Sequence, residues 1–419
     1  MQSHSVTFKV LAIAVIGGGC LIASLAVLGL VAERQDTGRE ATEEISLLWG
    51  RRQTLVGPML IKRTLVAGLP REDYVLPHSL KYKTTLVPEI RSRGIFKTVV
   101  YKSVVHVEGQ FKRGDWAPVF GDESAGLFSL GISDTRGIER QFNLQWNNAT
   151  LAFESGAGVD LRAMSGLHAT VPLRSVPEMI PFSFDVELKG SEGVSVAPLG
   201  RETVIAMTSS WPTPKFVGAF LPSSHEIGRD GFNAEWRISS FGRSYPQSFS
   251  KDEVGFDQVI LSAAGVDLHQ SIDIYDMVFR SVKYAVLFIV ITFAAFFLFD
   301  VLGSIRVHPI QYLLIGAALA LFYLLLLSFS EQIGFLAAYL LAMLMIAGLV
   351  TSYSWFVLRS GKRAFLIGIL LAALYSYLYF VLQLEDYALL AGSLALFLLL
   401  GGAMYATRNI DWFSLEKNG

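Results

Sequence analysis

The chain has 419 residues, 52% of them hydrophobic and only 17% charged, with a formal net charge of −1. A soluble domain carries about a quarter charged residues, so this composition excludes an ordinary soluble globular protein. The single cysteine, Cys20, excludes a disulfide within the chain.

The charge deficit is local. Residues 33–283 hold 58 of the 71 charges, and residues 284–419 hold 12. A bilayer core of roughly 30 Å takes about 20 apolar residues in a helix. Six runs reach that length: 8–31, 284–302, 310–329, 333–358, 364–384 and 387–406. The predicted organisation is therefore a cytoplasmic N-terminus with a first transmembrane helix over 1–32 and an external domain over 33–283. A bundle of five transmembrane helices follows over 284–406, then a cytoplasmic tail over 407–419. The first run is read as an uncleaved anchor, because it is about twice as long as a signal core of roughly 7–15 residues.

After the anchor, EATEEISLLWG (40–50) predicts a short helix with Ile45, Leu48 and Trp49 on one face. The period then changes to two. Val99, Tyr101, Val105, Val107 and Phe111 share one side of 97–111. Phe182, Phe184, Val186 and Leu188 alternate with polar residues, as do Phe232, Ala234, Trp236 and Ile238. These are half-buried antiparallel strands, and Gly and Pro between them suit a β-sandwich. Val105–Gly109 and Phe142–Trp146 recur in kind at 186–190 and 232–236, so a duplicated β unit is one reading; ordinary amphipathic strands are the other. Residues 51–113 hold 13 basic and 4 acidic side chains, a basic lobe that suits anionic headgroups or an ordinary mixed surface.

Motifs for chemistry are weak. Ser248-Phe-Ser-Lys251 matches an S-x-x-K pattern, but the partner motifs S-D-N and K-T-G are absent. Asp267, His269, Asp273 and Tyr275 would share one strand face, which a solvated face explains without a metal. No catalytic, cofactor or metal site is predicted, no nucleic-acid partner is expected, and the chain reads as a non-enzyme.

In the last third, Ile310 to Phe329 carries no charge, and Glu331 and Gly334 mark a turn between two spans. Lys and Arg in short loops mark the cytoplasmic side. Arg306 follows the second span, Arg359, Lys362 and Arg363 follow the fourth, and Arg408 and Lys417 lie in the tail. The loops around Glu331 and around Glu385 and Asp386 have neither residue. Both chain ends are thus expected in the cytoplasm and the large domain outside. His308, Gln311, Arg359 and Arg363 are candidate cytoplasmic-face positions. Arg280 and Lys283 enter the outer surface and are candidate partners for Glu331, Glu385 and Asp386 in a charged rim.

HPIQYLLIGAALALFYLLLLSFSEQIGF (308–335) resembles the CreD-type inner-membrane proteins of Gram-negative bacteria, as do YLYFVLQLEDYALLAGSLALF (377–397) and TRNIDWF (407–413). Weaker echoes lie in WGRRQTLVGPML (49–60), in 211–216 and in GFNAEW (231–236). The resemblance implies an inner-membrane protein with one anchor, a large periplasmic domain and a C-terminal helical bundle. It also implies a part in cell-envelope integrity and stress response, with no catalytic residues to carry over. The expected role is a scaffold or sensor whose partners are membrane lipids and periplasmic wall or envelope proteins. A carrier or lipid-handling protein, with the outer domain feeding the bundle, is the alternative.

Overall fold

The computed structural model describes residues 6–66, 68–158, 164–268, 274–303, 307–384 and 387–408. The chain divides into two units, Met1–Gly38 with Ile272–Gly419, and Arg39–Ser271. Hydropathy alone marks 32/33 and 283/284. The bounds differ because helical backbone outlasts the apolar stretch on one side and begins before it on the other.

Helix α1 runs unbroken from Val6 to Trp49, so the short helix expected near 40–50 is the end of the anchor helix itself. Residues 32–44 are rich in Ala, Glu, Arg and Gln, which keep a helix going without any apolar stripe. Gly50, at φ 130°, stops it and donates its N–H to Ser46.

The strands of the second unit are β1 (Gln53–Val66), β2 (Leu69–Val75), β3 (Ser79–Arg93), β4 (Phe96–Lys112), β5 (Ala125–Ile132) and β6 (Asn143–Trp146). They continue as β7 (Ala149–Ala152), β8 (Glu154–Ser155), β9 (Ser165–Pro172), β10 (Met179–Ser191), β11 (Gly193–Val196) and β12 (Glu202–Ser209). The last are β13 (Pro214–Gly218), β14 (Ser224–Gly228), β15 (Gly231–Ser239), β16 (Ser248–Ser250) and β17 (Ala264–Leu268). Two short helices, α2 (Arg113–Phe120) and α3 (Phe256–Leu261), lie among them.

One sheet has the order β13-β17-β11-β1-β5-β9-β8, with β2 on β1 and β16 on β2. The other is β14-β15-β12-β3-β4-β10-β6-β7. Most pairs are antiparallel, but β1 with β11 and β3 with β12 are parallel. The alternating residues named from the sequence on β4, β10 and β15 are all buried. Phe128 on β5 packs edge-on against Phe182 and Phe184 on β10, at 5.4 and 6.1 Å, so the two sheets share one core. This is a sandwich-like arrangement.

Sheet order argues against duplication. The two Val-rich segments lie on β4 and β10, which are direct neighbours with Val105 opposite Val186. The two Phe-Asn-x-x-Trp segments lie beside β10 and beside β12. One strand separates the first pair of motifs and three separate the second, so the repeated sequence reflects a shared strand pattern.

The remaining helices are α4 (Ile274–Lys283), α5 (Ala285–Gly303), α6 (Pro309–Ile333), α7 (Phe335–Leu358), α8 (Gly361–Gln383) and α9 (Ala388–Thr407). Among the described residues, α1, α6, α7 and α8 are long and apolar enough to cross a membrane. The pair α4 and α5, bent by 40° at Tyr284, makes a fifth span if counted as one. Large apolar side chains such as Leu344, Phe356 and Phe365 stay exposed on these helices, which demands an apolar solvent. Inside, Tyr323, Tyr339 and Tyr375 are buried with Phe288 and Phe322, the Phe322 and Tyr375 rings lying 4.4 Å apart. Gly316 lets α1 approach α6, since a Cβ there would stand 2.4 Å from Cys20 Sγ.

The strand expected through 266–275 ends at Leu268, and Ile274 and Tyr275 are helical. Ile274, Met277, Val278, Ser281 and Val282 fall at helical spacing, and the last four are buried. That 3.6-residue stripe makes Ile274 and Tyr275 helical, while 269–273 lie outside the described residues.

Candidate functional site: a charged rim at the helix ends

The apolar run of α6 ends in Ser330-Glu331-Gln332-Ile333, and Gly334 alone separates it from α7. Gly334 sits at φ 81°, so the turn expected at Glu331 and Gly334 is made at the glycine. Glu331 thus stands in the last turn of α6, with only 10% of its side chain exposed.

Two groups meet it. The Tyr275 hydroxyl on α4 donates to Glu331 Oε1 at 3.1 Å. Arg34 on α1 brings its Nε to 3.8 Å from the same oxygen. A half-exposed arginine at that distance holds the carboxylate weakly, and the tyrosine supplies the directed bond.

Arg280 does something else. It lies on the face of α4 away from Met277 and Val278, and its Nη2 donates to the carbonyl of Leu384 at 2.9 Å. Leu384 is the C-cap of α8, where carbonyls lack helical partners and a cation is favoured. Lys283 Nζ sits 4.5 Å above the ring of Phe279, one turn back. The rim therefore joins α1, α4 and α6 at Glu331, and α4 and α8 at Leu384. Glu385 and Asp386 lie outside the described residues.

At the opposite ends of these helices, His308 caps α6. Its Nδ1 accepts from the N–H of Ile310 at 3.3 Å, and Gln311 accepts from the N–H of His308 at 2.9 Å. Pro309 opens the helix, where a missing N–H costs nothing. Arg359 is the left-handed C-cap of α7, and Arg363 lies in the first turn of α8. Arg306 and residues 409–419 lie outside the described residues.

The weaker motifs resolve simply. Ser248–Ser250 is strand β16, so Ser248 and Lys251 are not one helical turn apart; Lys251 Nζ faces Glu72 at 3.6 Å. Asp267 pairs with Arg52 at 2.6 Å, while His269 and Asp273 lie outside the described residues. No group of three metal-ligating side chains comes together among the described residues.

Sequence reasoning missed Arg34 and Tyr275. Arg34 gave a signal, as one of the first charges after the apolar run. Tyr275 was hidden by the strand reading of its segment.

A family model described as inner membrane protein CreD matches residues 5–413. The chain belongs to the CreD family. It is 32% identical over 420 residues to the inner membrane protein CreD of Escherichia coli (strain K12), covering 95% of this chain and 92% of that one. The CreD match takes in the N-terminal apolar helix, the β-rich region and the apolar helices that follow.

Proposed function

We propose that this chain supports bacterial cell-envelope integrity as a non-catalytic scaffold or sensor in the inner membrane, with its β-rich region in the periplasm. Both chain ends then lie in the cytoplasm, and α4 with α5, α6, α7, α8 and α9 form five spans after the anchor. Loop charge supports that topology: Arg359, Lys362 and Arg363 cluster between α7 and α8, whereas the α6–α7 and α8–α9 connections carry neither Lys nor Arg.

One observation carries the sensing part. Glu331 is met by Arg34 and Tyr275, which lie on the segments leading into and out of the β-rich region. A periplasmic event that shifts either segment disturbs the same carboxylate, so the helical unit registers it through α6. Reporter fusions after Arg34, Glu331 and Glu385 are expected to read periplasmic, and those after Arg363 and Asn409 cytoplasmic; a reversal among the last four breaks the topology. Glu331→Gln is expected to accumulate normally yet fail to protect cells under envelope stress. Full protection by that variant rejects the coupling.

A further inference from the structure

A groove of about 700 Å³ opens in the β-rich unit, between the segment preceding β6 and the strands β8 and β9. Its walls include Ile138, Phe142, Phe153, Met164 and Leu167, all partly exposed and all packed on the core. The Phe142 and Phe153 rings lie 4.9 Å apart, and each also packs on Phe184, at 5.9 and 5.5 Å. The aromatic floor is thus fixed from below. Five apolar side chains converging in a concave site of this volume is the composition of a ligand pocket, whereas isolated exposed apolar groups need no explanation.

The rim decides the ligand class. Glu139 is neutralised twice, by Lys189 Nζ at 2.6 Å and Lys102 Nζ at 3.4 Å, and Lys189 holds its carboxyl below the usual range. Among the described residues, Arg140 Nε meets Glu187 at 3.5 Å, and its side chain is 78% exposed. Three cations therefore face two carboxylates at this end. Beyond the other end, exposed Glu154 has its Oε2 3.6 Å from His168 Nε2. Thr135, Gln141, Ser155 and Ser165 add hydrogen-bonding groups to the walls, while the methionine, leucine and phenylalanines suit a flexible hydrocarbon.

We propose that this groove binds a long-chain carboxylate, with the hydrocarbon on Phe142, Phe153, Met164 and Leu167 and the head group on Arg140. An arginine presents a fork of donors matched to a carboxylate, and charge-assisted bonds of this kind are stronger than neutral ones. The inference goes beyond the sensing reading and does not depend on it: loss of binding leaves the Glu331 coupling intact, and an intact phenotype in Glu331→Gln leaves the groove intact.

The test uses the full chain in nanodiscs of net-neutral phospholipid, photolabelled with a palmitate analogue bearing a terminal diazirine and mapped by mass spectrometry. Adducts are expected on the peptides containing Phe153 and Met164, and unlabelled palmitate should compete them away. Met164→Glu and the separately made Ser165→Trp, which alters an exposed lining position, should each cut labelling about tenfold. Arg140→Gln should weaken competition by palmitate about tenfold and leave competition by hexadecanol unchanged. Adducts confined to the membrane helices, or undiminished in both groove variants, overturn the site. Hexadecanol competing as well as palmitate overturns the carboxylate.

Discussion

Tyr275 and Glu331 are 56 positions apart in sequence, yet the tyrosine hydroxyl donates to the glutamate at 3.1 Å where α4 meets the last turn of α6. A hydrogen bond to a charged acceptor contributes about 1.5–3 kcal/mol, whereas an exposed ion pair contributes about 0–1 kcal/mol. A double-mutant cycle on Tyr275→Phe and Glu331→Gln should therefore give a larger coupling than one on Arg34→Gln and Glu331→Gln. Thermal unfolding of the full-length protein measures both. Equal couplings would contradict the assignment of Tyr275 as the stronger partner.

The contact between α1 and α6 depends on the absence of a side chain at Gly316. An added Cβ would stand 2.4 Å from Cys20 Sγ and 2.8 Å from Phe293. Overpacking of this kind costs about 1–3 kcal/mol. Gly316→Ala should lower the melting temperature, and adding Cys20→Ala should restore part of the loss. No recovery would mean that the strain lies elsewhere on the interface.

The helix start at His308 has its own cost of removal. His308→Ala takes away an acceptor for the N–H of Ile310, a loss of about 1 kcal/mol for an N-cap. Hydrogen exchange should rise in the first turn of α6 and nowhere else on that helix. Uniform exchange along α6 would argue against a local cap.

In the β-rich unit, acid should act through Asp134 and Glu139. The Arg136 guanidinium holds the Asp134 carboxyl below its ordinary 3.8, and Lys189 holds Glu139 below its ordinary 4.5. Folded values below the unfolded ones mean that the stabilisation is complete above the unfolded values and is lost as pH falls through the folded ones. Protection of the Arg51 and Arg136 amides, both bonded to Asp134, should hold down to about pH 5 and fall below about pH 4. Asp134→Asn should cost about 1–3 kcal/mol at neutral pH and flatten that acid limb. Protection that declines between neutral pH and pH 5 would point to other groups.

Much of this was legible in the residues. Val99, Tyr101, Val105, Val107 and Phe111 declare a strand because a sheet has two faces and only one meets the core. Glu331 stood out because an apolar run admits few charges. That Arg34 and Tyr275 are its partners did not show, because nothing along the chain says that residues 34, 275 and 331 meet. Arg280 donates to a helix-end carbonyl, an acceptor that every sequence contains and none displays. Phe153 was equally silent, since half-buried positions outside strands follow no period, and Phe142 showed only as part of a repeated strand pattern. The two-residue rhythm also misled at Ile274 and Tyr275, where a stronger helical stripe begins.

The parallel pairings set the order in which this protein can be made. Gln53 to Leu55 on β1 pair with residues 194–196 on β11, and residues 79–86 on β3 pair with 202–209 on β12. A chain that emerges from its N-terminal end exposes β1 and β3 long before those partners arrive. Such distant pairings close slowly, and waiting strand edges invite wrong neighbours. The β4–β10 pairing is likewise deferred, while β3 and β4 form at once as a hairpin. Biogenesis, more than final stability, is then the step most exposed to a shortage of chaperones.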